Sequence, residues 1–363
     1  MSVVLVAGIA LVVALLVWLK LKLPSMDEKK ESLVEHLRLY NTADPDADEQ
    51  EMKELRRQKY PELVKNYYNL TTDIFHLVWG PHYSMGILFP MQNRKWQSYQ
   101  ACQQMYQCYL GLSLGANESM TIGDFGCGTG GPTRTIAQFT GARIKAVNLN
   151  DKQLAQMQTW NEECKIDHQI DLVCSDYHQT PLEANSLDGV YMCESLAHSP
   201  DYRVLCKEVF RVLKPGARFT GFNWELTDKY DQNNPVHRRI RHQIEYGVGL
   251  CRLVKMSDLT EALKEAGFEV ITQRDHNDFG MSLGGKRWWY VFEDHSLSLQ
   301  VLFSSLTTLL SGGMFVLEKL RFVPEGTRKA YDDLMIALKN GMHDGAREGI
   351  FTPMHYWLAR KPG

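Results

Sequence analysis

The residues best suited to chemistry begin at Asp124. The run Asp124-Phe-Gly126-Cys-Gly128-Thr-Gly130-Gly131 sets an acid just ahead of spaced glycines. Glycines placed this way let a backbone turn tightly and approach a ligand that a β-carbon would exclude. Gly126-x-Gly128-x-x-Gly131 also satisfies the dinucleotide fingerprint, but that fingerprint wants an acid about 20 residues on to hold a ribose. The corresponding strand end carries Asn148 and Asn150 instead. A structural turn without a ligand is the plain alternative. Farther along, Glu194 and Glu225 fall at the ends of two predicted strands, and His198 follows Glu194 closely. Such groups can move protons when they face a ligand. Otherwise they are satisfied structural carboxylates and a loop-orienting histidine.

These residues need strands and helices to hold them. From Thr121 the pattern alternates: TIGDFG, RIKAVNL, IDLVCSD, LDGVYMCE, ARFTGFNW and FEVITQRD read as strands. PTRTIAQF, DKQLAQMQTWNEEC, 203–213 and 257–266 read as helices, with a Lys214-Pro215-Gly216 turn before the fifth strand. Strands alternating with helices imply an α/β, doubly wound, mostly parallel sheet. Ligands in such sheets bind beyond the carboxyl ends of the strands, where Asp124, Asn148, Glu194 and Glu225 lie.

Composition narrows the possibilities. The 363 residues are 44% hydrophobic, which excludes a disordered chain and supplies a core needing no disulfide or metal. Forty Lys+Arg against 43 Asp+Glu leave a net charge of −3, so no nucleic-acid partner is expected. The eight cysteines lie between Cys102 and Cys251 without a C-x-x-C pair; no metal site is expected, and the thiols read as reduced. Residues 3–19 (VVLVAGIALVVALLVWL) carry no charge and are followed by Lys20, Lys22, Lys29 and Lys30. About 17 residues make roughly 26 Å of helix, near the thickness of a thin bilayer. Charge after the segment places the rest of the chain in the cytosol. Residues 1–24 are therefore expected to be a single-pass anchor in an intracellular membrane such as the endoplasmic reticulum. Residues 25–66 read as a polar linker with some helix. The apolar stretch 295–322, broken by Ser304, Ser305, Gly312 and Gly313, reads as helix over a lipid-facing or substrate pocket, or as core.

The acid ahead of the glycines resembles the D/E-x-G-x-G-x-G loop of S-adenosylmethionine-dependent methyltransferases, which implies a Rossmann-like seven-stranded fold and that cofactor. In this family an acid late in the third strand contacts adenine, where Ser175-Asp176-Tyr177 stands here, and a Leu-Lys-Pro-Gly turn is usual. The resemblance assigns Asp124, Gly126, Gly128 and Gly130 to the methionine portion. It gives Asn148 and Asn150 the ribose, and Asp176 with Tyr177 the adenine.

Within these enzymes the chain resembles the sterol C-methyltransferases from about Tyr67 onward. YYNLTTDIFHLVWGPHYS, AVNLNDKQL, CESLAHSPD, WELTDKYDQNNPVH and the ending GIFTPMHYWLARKPG carry the likeness. It implies a methyltransferase core over 67–275, an α-rich C-terminal substrate or lid region over 276–363, a sterol substrate and homo-oligomers. Methylating a sterol alkene leaves a carbocation, which aromatic faces stabilise by roughly 0.5–2 kcal/mol each. Tyr67, Tyr68, Phe75, Trp79, Tyr83 and Trp224 are the aromatic candidates, and Glu194, His198 and Glu225 the acid/base candidates. Where carbon-24 enzymes show Y-E-Y-G-W-G, this chain has Phe75-His76-Leu77-Val78-Trp79-Gly80. That departure leaves the methylated carbon open between side-chain carbon 24 and the ring near carbon 4, where His76 and His82 would gain interest. Two alternatives accompany this reading: cyclopropane-fatty-acid-type alkylation, and an inactive membrane-anchored cofactor-binding scaffold.

Overall fold

Strands buried on both faces build the centre of the molecule. In the computed structural model, β1 (Thr121–Phe125), β2 (Arg143–Asn148), β3 (Ile170–Cys174), β4 (Leu187–Cys193), β5 (Leu213–Leu226), β6 (Glu269–Asp275) and β7 (Phe351–Arg360) form one sheet. Their order is β3-β2-β1-β4-β5-β7-β6. β7 runs antiparallel to both its neighbours and the remaining pairs are parallel. The structure describes residues 50–80, 99–276 and 327–363, Trp289, and parts of 31–40 and 311–319.

Successive strand residues point to opposite faces, so each face gathers its own core. Phe125, Val147, Val190, Met192, Phe219 and Trp357 pack with helix α6 (Tyr202–Val212) and helix α8 (Met256–Glu265). Ile122, Ile144, Ala146, Tyr191, Phe222 and Tyr356 pack on the other face with Tyr106 and Leu110 of helix α3 (Tyr99–Leu114) and Ile136 of helix α4 (Gly131–Thr140). Local chemistry sets the helix starts. Asn150 caps helix α5 (Asp151–Glu163) by accepting from the backbone N–H groups of Lys152 and Gln153. Asp201 caps α6, and Asn234 followed by Pro235 opens helix α7 (Pro235–Val248). The chain winds from β1 to one side and returns to β4 on the other. A crevice therefore opens beyond the carboxyl ends of these two strands.

Three parts of the molecule depart from the sequence reading. The stretch 25–66 is not a free linker where it is described. Leu39, Tyr40 and Leu63 are buried with Tyr246 and Cys251, and the Tyr40 hydroxyl donates to the carbonyl of Glu245 at 3.0 Å. Helix α1 (Gln50–Gln58) carries Arg56, buried with its guanidinium donating to Leu39 O at 2.9 Å and lying 4.6 Å from the Tyr40 ring. Helix α2 (Tyr60–Trp79) then crosses the boundary placed at residue 67. The Lys214-Pro215-Gly216 turn is absorbed as an irregularity within β5, where Gly216 takes φ +80°. The C-terminal region is α-rich in helix α9 (Thr327–Arg347), yet it also supplies β7, so the sheet closes across the boundary placed at 275. Among the described residues no helix is long and apolar enough to cross a membrane. Residues 3–19, the expected anchor, and 295–310 lie outside the described residues.

Candidate active site

Asp124, the penultimate residue of β1, is almost wholly buried. Its Oδ2 accepts from Thr133 at 2.6 Å and Tyr191 at 2.7 Å, while its buried Oδ1 has no partner. Burial raises its carboxyl to about 6 against the pull of those two hydrogen bonds. A cationic group in the crevice would both pair with Oδ1 and favour ionisation. The adjoining loop reaches the same space. Gly126 holds φ +86°, and a β-carbon there would fall 2.3 Å from that of Ser195. A β-carbon on Gly128 would meet nothing within 4 Å, and both glycines line a cavity of about 160 Å³. Gly130 serves packing instead. Its β-carbon would strike Met157 at 2.7 Å, so it lets the loop pack on α5 and is not part of the lining.

Asn148, at the end of β2, lines the cavity and donates to Gln153 Oε1 at 2.9 Å. Asn150 does not line it. Its side chain is spent on the α5 cap and on a 3.2 Å donation to Asn69, which corrects its expected ribose role. Asp176, just past β3, lines the cavity with Tyr177. Its Oδ1 accepts from the His178 backbone N–H at 2.8 Å and its Oδ2 from the Tyr60 hydroxyl. Burial favours the protonated acid, but the hydrogen bonds from His178 and Tyr60 outweigh it and hold Asp176 below the ordinary carboxylate value. The Tyr177 hydroxyl donates to Ser195 O at 3.2 Å.

Beyond the loop the cavity turns aromatic. Tyr67, Tyr68 and Phe75 from α2 and Trp224 from β5 line it, with Tyr67 and Tyr68 edge to face at 5.2 Å. Glu194 follows β4 directly and also lines it. Its φ of +59° is unusual for a non-glycine residue, so the fold holds this carboxylate at a conformational cost of about 1 kcal/mol. Trp224 Nε1 donates to Glu194 Oε2 at 3.3 Å. His198 shares a 2.9 Å hydrogen bond with the Tyr68 hydroxyl through Nε2, while its buried Nδ1 has no partner. Desolvation lowers the imidazole to about 4, leaving it neutral near pH 7. Burial and the Glu194 charge push the Tyr68 phenol up.

Glu225 is elsewhere. It is fully buried, accepts from Asn223 Nδ2 at 2.9 Å and pairs with His355 on β7, outside the cavity lining. Alternation along β5 sends Trp224 to the cavity and Glu225 to the other face, so Glu225 leaves the acid/base set. Trp79 ends α2, but its side chain lies outside the described residues, as do His82 and Tyr83. His76 shares a 2.9 Å hydrogen bond with Thr129 of the glycine loop and is not part of the lining. The sequence reading missed Tyr60, Gln153, Lys339 and Met342, all of which line the cavity. Gln153, which follows the capping Asn150 on α5, was the most accessible of these from its position in the sequence.

Asp124's partnerless oxygen, the two cavity-facing glycines, Asn148 and Asp176 fit the ammonium, backbone, ribose and adenine of S-adenosylmethionine. Residues 123–220 match the methyltransferase domain model, and 303–363 the sterol methyltransferase C-terminal model. A sterol 24-C-methyltransferase of Saccharomyces cerevisiae is 33% identical over 345 residues, covering 92% of this chain and 86% of the relative. The cycloartenol-C-24-methyltransferase of Arabidopsis thaliana is 34% identical over 313 residues, covering 85% and 90%. Among solved structures, a cyclopropane synthase from Mycobacterium tuberculosis aligns with a TM-score of 0.62 at 15% identity, covering 83% of this chain and 98% of that one. A geranyl diphosphate C-methyltransferase from Streptomyces coelicolor aligns at 0.59 and 18%, covering 84% and 98%. These two likenesses show the shared fold. The identity to curated relatives extends over nearly all of the chain, the cofactor loop included, and the chain belongs to the sterol methyltransferase family of S-adenosylmethionine-dependent enzymes.

Proposed function

We propose that this enzyme transfers a methyl group to a carbon of a sterol held against Tyr67, Tyr68, Phe75 and Trp224. The observation that carries this reading is the aromatic wall beside Glu194 and the Tyr68–His198 pair, directly beyond the glycine loop. When bound, the cofactor supplies an electrophilic methyl group. Asp124, Asn148 and Asp176 hold it, and the aromatic faces stabilise positive charge that develops on the sterol. Glu194, fixed by Trp224, and neutral His198 are the groups able to take the departing proton. The names of the relatives support side-chain carbon 24.

A second reading places methylation on the ring near carbon 4. The Phe75-His76-Leu77-Val78 departure favours it. So does the buried, neutral His198 hydrogen-bonded to a phenol, a pair suited to enolising a carbon beside a 3-oxygen. His76 lends this reading no direct support, because its ring nitrogen is engaged with Thr129. Residues 3–19 are proposed to anchor the enzyme in an intracellular membrane, where its water-insoluble substrate resides.

The test is an assay with methyl-labelled S-adenosylmethionine and three sterol sets: side-chain alkenes, saturated side chains and 3-ketosteroids. Mass spectrometry locates the added carbon. Product from side-chain alkenes alone establishes carbon 24, and product from saturated side chains establishes the ring. Absence of product from every sterol, with cofactor bound, overturns the sterol reading.

A further inference from the structure

Helix α2 carries two adjoining stripes of side chains that meet two parts of the crevice. Asn69, Thr72 and His76 follow an i, i+3, i+7 spacing and therefore share one stripe. Asn69 accepts from Asn150 at 3.2 Å, Thr72 accepts from Gln153 Nε2 at 3.1 Å, and His76 shares 2.9 Å with Thr129. At the start of the helix the Tyr60 hydroxyl donates to Asp176. These contacts reach the glycine loop, the start of α5 and the residue just past β3, which together enclose the cofactor crevice. The neighbouring stripe carries Val64, Tyr67, Tyr68 and Phe75, the wall of the cavity where the sterol is proposed to lie. Twenty residues of helix make a rigid rod of about 30 Å, so pressure on one stripe is felt by the other.

We infer that α2 is a clamp, with Tyr60, Asn69, Thr72 and His76 as positioning residues for the cofactor, and that sterol binding against its aromatic stripe holds the clamp shut. The order of binding follows. Cofactor enters while α2 is free to lift, and sterol enters second. The spent cofactor, S-adenosylhomocysteine, leaves only after the methylated sterol. Coupling of this kind is reciprocal, so each ligand must tighten the other by the same factor. The inference rests on the sterol reading only for the identity of the second ligand.

The experiment uses the full chain, unreactive S-adenosylhomocysteine and the sterol that gives product, or the whole panel if none does. Sterol binding is measured separately by equilibrium partition of labelled sterol. Saturating sterol is expected to slow S-adenosylhomocysteine release roughly tenfold, and S-adenosylhomocysteine to tighten sterol binding by the factor it gains. Thr72→Val and Tyr60→Phe, which change little besides one hydroxyl each, are expected to speed release several-fold and raise KM for S-adenosylmethionine more than they lower kcat. Thr72→Ser should restore the slow release. A sterol that binds without altering release overturns the coupling. If no sterol binds, the functional reading fails instead, and the clamp is judged on the variants alone: release rates equal to the parent's overturn it.

Discussion

Asp124 and Glu194 are both acids beside the same cavity, yet their surroundings prepare them for opposite roles. Asp124 is pinned by Thr133 and Tyr191 with one oxygen left over, and burial alone keeps its carboxyl near 6. A cofactor ammonium pairs with the ionised form only. Cofactor affinity should therefore fall as pH drops below about 6, by up to tenfold per pH unit. Calorimetry across pH 5–8 checks this; Asp124→Asn should bind at least about tenfold more weakly and lose the pH dependence. Glu194 instead lines the cavity with Tyr68 and Trp224, where the sterol is proposed to react. Glu194→Gln should lower single-turnover methylation about 100-fold while leaving cofactor affinity within twofold, as rapid-quench and calorimetric measurements will report. That Asp124, Gly126, Gly128, Asn148 and Asp176 gather round one cavity was legible in the sequence, Asp124 and Asn148 from strand ends that converge on one crevice and the others from the likeness to the methyltransferase loop and third strand. Asn150 was not, because an asparagine that caps a helix and one that holds a ribose are written alike.

At the scale of elements, the same alternation that made β5 readable decides between its neighbours. Trp224 enters the cavity, and Glu225 turns to Asn223 and His355 behind it. One residue of register separates a cavity wall from a buried, hydrogen-bonded Glu225–His355 contact, and the sequence pattern alone does not say which face is which. Altering one partner of such a contact leaves the other poorly satisfied, at a cost of about 1–3 kcal/mol. Glu225→Gln should therefore lower the melting temperature by roughly 1–4 °C in calorimetry, while kcat per folded molecule changes little. Helix α2 and the segment before it were hidden by their composition. Polar residues dominate 25–66, but Leu39, Tyr40, Leu55, Tyr60 and Leu63 form an apolar stripe that docks beside Tyr246 and Cys251. Charge content reported the solvated side of these helices and masked the buried one.

The whole molecule carries an acid sensitivity in its interior. Burial holds His36, His76 and His198 near 4 and His276 near 3, against an ordinary value of 6.5. Between those limits the unfolded chain binds more protons, so stability falls as pH drops from 6.5 toward 4. Asp124 opposes this, since the folded form holds its proton between 3.8 and about 6, but it is one group against four. Scanning calorimetry should show the melting temperature falling by roughly 5–15 °C between pH 7 and pH 5. The proposed anchor makes a separate prediction: deleting residues 1–24 should release the enzyme from membranes in flotation assays with its cofactor affinity unchanged. The doubly wound half of the sheet was legible from strand–helix alternation, but β7 was not, because nothing local in Phe351–Arg360 says that it belongs between β5 and β6. That insertion separates the birth of the cofactor crevice from the completion of the sheet. During synthesis β1 to β5 and all the strand-end groups of the crevice exist before β7 does, and the edges of β5 and β6 that β7 later joins have no proper partner in the meantime. Unpaired edges recruit strands from other chains. A nascent or truncated chain that ends before residue 351 should thus keep its cofactor loop and fail by aggregation, which light scattering of the truncated chain will report.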